Sequence, residues 1–226
     1  HGADVRLMMP KTGGDHTDAM RSYAGKRVAA LAEDDLCGYI LKKDSPSCGM
    51  ERVKVYGTNT IPSKSGRGLF AEALMQRFPN LPVEEEGRLN DPPLRENFVE
   101  RVFAYRRVRS LFGGRWTRGD LVAFHTAHKL QLMAHSPQTY EQLGRLVANA
   151  KGMVRAALRD SYESQFMLGL AALATRQRHT NVLQHMAGYF KKQLADGSKR
   201  ELQLLIDDYR RGLVPLVVPI TLIRHY

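Results

Sequence analysis

Cysteine is scarce in this chain: Cys37 and Cys48 are the only two in 226 residues. Two thiols cannot build a disulfide framework, and their scarcity suits a reducing cytoplasm. They are also too few to hold an iron–sulfur cluster unaided, since such clusters take three or four thiolates. No apolar run reaches the ~20 residues that span a bilayer, so no membrane contact is expected, and neither is a secretory signal. Internal repeats and low-complexity segments are absent. Acidic residues are in the minority, with 34 Lys and Arg against 23 Asp and Glu and a net charge of +11. That balance fits anionic partners, a nucleotide phosphate or RNA, and it equally fits a solvated basic surface. No cluster of aromatic side chains interleaves the basic stretches to decide between the two.

What is present is ordinary for a globular protein, with 43% hydrophobic and 25% charged residues. The length accommodates one large or two modest domains. In the first half, apolar runs at Val5–Met9, Gly38–Leu41 and Leu81–Glu84 read as strands. Arg52–Tyr56 reads as a short strand or extended segment, and Gly57–Gly68 as a loop. Helices are predicted from Asp15 to Asp35 and from Leu69 to Phe78. This strand–helix–strand order predicts an incomplete Rossmann-like α/β domain with a parallel sheet over residues 1–112. Asp91-Pro92-Pro93 starts a further helix that stops at Gly113-Gly114. From 113 to 226 the chain reads as an all-α domain. Thr117 with Asp120 and Ser198 with Glu201 are capping signals, and Ser136-Pro137 separates two helices. Leu213–Ile223, with Pro215 and Pro219, reads as an extended packing segment.

The stretch that carries chemistry is Lys42-Lys43-Asp44-Ser45-Pro46-Ser47-Cys48-Gly49. It follows a strand, and open α/β sheets place ligands beyond the carboxyl ends of their strands. A serine-rich turn holding a structural thiol is the plain alternative, because one cysteine is a weak motif. Gly66-Arg67-Gly68, leading into a helix, is a second candidate. Glycines admit a ligand close to the backbone and helix-start amides attract phosphate. A turn with no ligand is the competing reading. Cys37 reads as a buried thiol at a strand edge.

The segment from Asp15 to Tyr56, centred on Ser45-Pro46-Ser47-Cys48-Gly49, resembles the thiouracil desulfidase (TudS-type) family. The chain from about Trp116 onward, through Phe124-His125-Thr126-Ala127-His128-Lys129 and Asn181 to Phe190, resembles the YbgA-type helical domain often fused to it. The first resemblance implies that Cys48 is one of three cysteines holding a four-iron four-sulfur cluster. It places the other two in an amino-terminal region that this chain does not show, so an amino-terminal piece is expected to be missing, or segments to have been joined. It also implies a catalytic role for Ser45 and a place for Lys42 beside the cluster. Ser47 is expected to cap the loop or donate to a cluster sulfur, and Gly66, Arg67 and Gly68 to meet the substrate. The expected reaction replaces the sulfur of thiouracil, or of a thiolated nucleotide such as 4-thio-UMP, by oxygen with release of hydrosulfide. The rival expectation is a non-enzymatic module that binds nucleotide or RNA through the basic helical domain.

In that second domain Leu121, His125, His128, Leu132 and His135 are spaced 4, 3, 4, 3, which aligns them on one helix face. Asn181, His185 and Gly188 form another stripe. The two are expected to face each other across a polar seam. A metal site is the sharper alternative, and core histidines bonded to backbone carbonyls the plainer one.

Overall fold

The computed structural model describes residues 5–57 and 61–226, and the chain divides into two compact units, His1–Ser110 and Leu111–Tyr226. Residues 58–60 of the predicted loop fall outside the described residues.

In the first unit, helix α1 spans Thr17–Leu31 and buries Thr17, Ala24, Val28 and Leu31. Asp15 accepts the Thr17 amide at 2.9 Å, so it caps the helix from just outside the first turn. Tyr23, on the same helix, is exposed. Val5–Met9 does not form a strand: Met8 makes an isolated bridge to Asp15, and Met9–Gly14 closes a turn. Strand β1 is Tyr39–Leu41 and β2 is Val53–Val55. The predicted loop contains a further strand, β3 (Ser63–Gly66), which pairs antiparallel with β2. Its polar composition gives no apolar alternation to read. Helix α2 (Leu69–Arg77) buries Phe70, Ala71 and Leu74 and leads back to β4 (Val83–Glu85). β4 lies parallel to β1, with Tyr39 opposite Val83 and Leu41 opposite Glu85. Among the described residues the parallel sheet is therefore two strands wide, a small version of the sheet expected. Helix α3 (Pro92–Phe112) begins where Asp91 accepts the Leu94 amide, and it contributes Phe98, Ala104 and Val108 to the core. Cys37 is half-buried rather than buried, its thiol near the Asp35 carbonyl at 3.7 Å.

The second unit is helical among its described elements: α4 (Arg118–Ala127), α5 (Lys129–His135), α6 (Pro137–Ala148), α7 (Arg155–Ala171), α8 (Arg176–Tyr189), α9 (Asp196–Arg211) and α10 (Val217–His225). The Thr117–Asp120 capping box forms, and Ser136 caps α6 with Pro137 in its first turn. Three expectations fail. The helix foreseen from Leu121 to His135 breaks at His128, whose backbone (φ −99°, ψ 7°) leaves the helical basin. The Ser198–Glu201 box is not used, because α9 already starts at Asp196 with no side-chain cap. Leu213–Ile223 is not extended: Pro219 is the third residue of α10, where an amide has no intrahelical partner to lose. Leu183, Leu202, Ile206, Tyr209 and Ile223 form one core cluster across α8, α9 and α10. No helix of the described residues is long and apolar enough to cross a membrane.

Candidate active site

The Cys48 loop runs between β1 and β2 and is held by backbone before any side chain is considered. At the start of α2, the amides of Gly68, Leu69, Phe70 and Ala71 have no carbonyl of their own helix to meet. The Gly68 amide donates to the Gly49 carbonyl at 2.8 Å and Leu69 to Pro46 at 3.3 Å. Phe70 and Ala71 both donate to the Ser47 carbonyl, at 2.9 and 3.1 Å. The loop thus serves as the amino-terminal cap of α2. This requires glycine at 68, since a Cβ there would overlap the Ser47 carbonyl and stand 2.6 Å from the Cys48 nitrogen. Gly66 has a similar cause, because its Cβ would meet Val55 at 2.6 Å across the hairpin. Both glycines serve chain packing. The helix-start amides are already engaged, so they do not form the phosphate cradle expected of Gly66-Arg67-Gly68. Arg67 turns its Nε to the Met50 carbonyl at 2.9 Å, clamping the loop from outside.

Within the loop, the Ser45 hydroxyl accepts the Cys48 amide at 3.2 Å and shares a 3.1 Å hydrogen bond with the Ser47 hydroxyl. Ser47 Oγ in turn lies 3.4 Å from Cys48 Sγ. A half-buried thiol therefore ends a chain of two hydroxyls. Lys42 is exposed at the loop's entrance. Asp44 and Arg52, which bracket the loop, both take positive φ (56° and 60°), a conformation that costs about 1 kcal/mol or more outside glycine. The surrounding hydrogen bonds must hold that strain in place.

Sequence reasoning missed the residues that supply this hold. Glu85 Oε1 accepts the Met50 amide at 2.8 Å, and Glu86 Oε2 accepts the Lys43 amide at 2.7 Å. The carboxyl end of β4 thus grips both ends of the loop. Glu84, also buried, bonds the Arg88 Nε at 2.6 Å, and Arg88 reaches on to Glu51 at 2.9 Å. These groups border a polar cleft of about 240 Å³ lined in part by Asp44, Glu51, Arg52, Lys64, Glu85 and Arg88. Tyr39 was missed as well. Burial pushes its phenol up, while Arg27 opposes the shift and Cys48 adds to it. The run Glu84-Glu85-Glu86 after an apolar strand was the available signal for the carboxylates.

The group implied by the resemblance is a four-iron four-sulfur cluster, and the donor set does not complete it. Cys48 offers one thiolate, and no group of three or more His, Cys, Asp or Glu among the described residues is placed to hold a metal.

The histidines of the second unit separate. His125, His128 and His135 are buried, each against its own partner. His125 Nδ1 shares a 3.2 Å hydrogen bond with the Tyr162 hydroxyl, and its ring lies flat on Tyr140 at 5.4 Å. His128 Nδ1 donates to the Phe124 carbonyl at 2.8 Å and stacks on the Phe124 ring. His135 Nδ1 donates to the Ala172 carbonyl at 2.6 Å, closing the end of α7. Asn181 and His185 are exposed instead. α8 turns Val182, Leu183, Met186 and Phe190 to the core, and the two polar residues ride on the opposite face. The expected seam therefore does not form. A half-buried His179–Tyr209 hydrogen bond at 2.8 Å, unforeseen, links α8 to α9.

Residues 1–86 match the family model of 2-thiouracil desulfurase, and residues 129–226 match that described as Protein of unknown function (DUF1722). The chain is 36% identical over 130 residues to the uncharacterized protein YbgA of Escherichia coli (strain K12), an alignment covering 56% of this chain and 75% of YbgA. No solved structure matches the chain.

Two outcomes are expected from this geometry. Gly68→Ala forces a methyl into the Ser47 carbonyl and should cost about 1–3 kcal/mol, read from urea unfolding, while changing the alkylation rate of Cys48. Burial, then neighbouring His128, hold His125 below its ordinary value of 6.5. Above that value both states are neutral there and His125 adds no pH slope. As pH falls through 6.5 the unfolded chain takes up a proton that the folded one refuses, so stability is lost. Urea midpoints at pH 7.5 and 5.5 should therefore differ less in His125→Gln than in the unaltered chain.

Proposed function

The chain belongs to the family of YbgA and carries a 2-thiouracil desulfurase segment ahead of its helical domain, and on that premise we propose that it removes sulfur from thiolated uracil compounds. The reaction is a substitution at a ring carbon: water supplies the oxygen, the carbon–sulfur bond breaks, and sulfur leaves as hydrosulfide. Carbon keeps its oxidation state, so no net electron acceptor is needed. The observation that carries this reading is the Cys48 thiol, fixed by the cap of α2 and approached by the Ser47 hydroxyl, which Ser45 bonds in turn, inside the segment that matches the desulfurase family.

The four-iron four-sulfur cluster is part of the proposal. Cys48 would contribute one of the three or four thiolates that such a cluster takes. When bound, such a cluster supplies a thiophilic Lewis acid for the departing sulfur. The chain's own residues do the rest. Ser45 holds the Cys48 amide and, through Ser47, passes a hydrogen-bond path towards the thiol; that path can carry a proton or orient water. Glu85 and Glu86 fix the loop's ends, acting as positioning residues. We further read the parallel β1–β4 pair as part of a Rossmann-like sheet, residues 1–112 as the desulfidase domain and 113–226 as the YbgA-type domain, at work in the cytoplasm.

Anaerobically reconstituted full-length protein should release sulfide from 2-thiouracil, 4-thiouracil or 4-thiouridine monophosphate, with the oxo base as co-product. Cys48→Ala should abolish release. Ser45→Ala should lower it by roughly 10²-fold or more, in the range of a lost proton relay. Iron uptake without sulfide release from any of these compounds would sink the reading.

A further inference from the structure

The cleft beside the Cys48 loop holds more cations than its own carboxylates engage. Of the acidic residues that line it, Glu51 accepts Arg88 at 2.9 Å, Glu85 accepts the Met50 amide at 2.8 Å, and Asp44 stands 3.9 Å from the Lys43 ammonium. Arg88 is pinned from its other side by Glu84 at 2.6 Å. Arg52 and Lys64 line the cleft too, and among the described residues their side chains make no hydrogen bond or ion pair. The backbone makes both cations costly. Arg52 has φ 60°, a conformation that glycine adopts freely and that costs a residue with a side chain about 1 kcal/mol or more. No bond of its own side chain accounts for an arginine there. Lys64 stands opposite Lys54 in the β2–β3 register, and like charges directly opposite destabilise a strand pair. Lys54 is exposed and, among the described residues, equally unbonded. The hairpin thus carries three cations that no carboxylate offsets. An anion seated against them would remove the repulsion and give the strained arginine a partner.

We propose that this cleft binds the 5′-phosphate of a uridine nucleotide whose base lies at Cys48, with Arg52 and Lys64 as its specificity-determining residues. The identity of the base rests on the desulfuration reading; the anion site stands on the cleft itself. Arg52 offers a planar fork of N–H donors that matches phosphate oxygens, and Lys64 offers a point charge. At about 240 Å³ the cleft is smaller than the ~300–1,000 Å³ pockets that enclose a whole small-molecule ligand, so it suits one end of a nucleotide. Arg52 closes the loop that carries Cys48, so one stretch of backbone sets both the thiol and a phosphate donor. The site also needs none of the amides at the start of α2, which the loop already occupies.

Isothermal titration of the full-length protein with UMP, uridine and inorganic phosphate tests the proposal without requiring turnover. UMP should bind roughly tenfold or more tightly than uridine, the range of a charge-assisted hydrogen bond. Inorganic phosphate should compete with it. Lys64→Ala and Arg52→Gly should each bring the ratio of the UMP and uridine affinities towards one. Glycine takes positive φ without strain, so the urea midpoint of Arg52→Gly should hold or rise while phosphate recognition is lost. Equal affinity for UMP and uridine, or a ratio that neither substitution changes, would overturn the proposal. So would UMP binding that inorganic phosphate cannot displace. UMP carries no sulfur and sulfide release is a separate readout, so the phosphate site can fail while thiouracil is desulfurated, and the reverse.

Discussion

Four consecutive amides at the start of α2 have nowhere to bond within their own helix, and the Cys48 loop supplies their acceptors. Most of the first unit follows from that requirement. The loop must approach α2 closely enough for three carbonyls to reach those amides, which admits only glycine at 68. To lie there it must leave β1 and enter β2 through two positive-φ residues, Asp44 and Arg52. Such strain persists only where other contacts over-determine it, and the Glu85 and Glu86 carboxylates do so from the end of β4. The parallel pairing of β1 with β4 is what brings those carboxylates to the loop. Strand pairing, helix capping and thiol placement are one device.

The second unit solves a different problem, the burial of imidazoles. An unpaired polar group inside a helical core costs about 1–3 kcal/mol. His128 and His135 escape that cost by donating to carbonyls near helix ends, and His125 by bonding Tyr162. Each therefore stabilises a junction between helices. The side chains that look reactive in sequence are structural here.

What the sequence made legible was local. The Thr117–Asp120 box, the Asp91 cap and the Ser136-Pro137 boundary each depend on residues a turn apart, and each appears as read. The Ser45-to-Gly49 motif was found because a thiol and two hydroxyls are visible in a string of letters. Its support was not, because the amide-to-carbonyl bonds from Gly68 to Ala71 leave no mark on side-chain identity. Glu85 stands 35 residues from Met50, a distance that no local rule spans. The histidine stripe shows the opposite error. Spacing of 4 and 3 presumes one continuous helix, and the chain turns at His128. β3 and α10 were missed for related reasons: Ser63–Gly66 is polar throughout, and Pro219 looks like a breaker except in a first turn.

The central claim is that the Cys48 loop is a fixed part of the fold, locked to α2. Native-state hydrogen exchange on the full-length protein tests it directly. The account predicts that the Cys48, Gly49 and Met50 amides exchange at the same opening free energy as Phe70 and Ala71, as one cooperative unit. Exchange of the loop amides at the rate of an unstructured chain, while Phe70 and Ala71 stay protected, would contradict it.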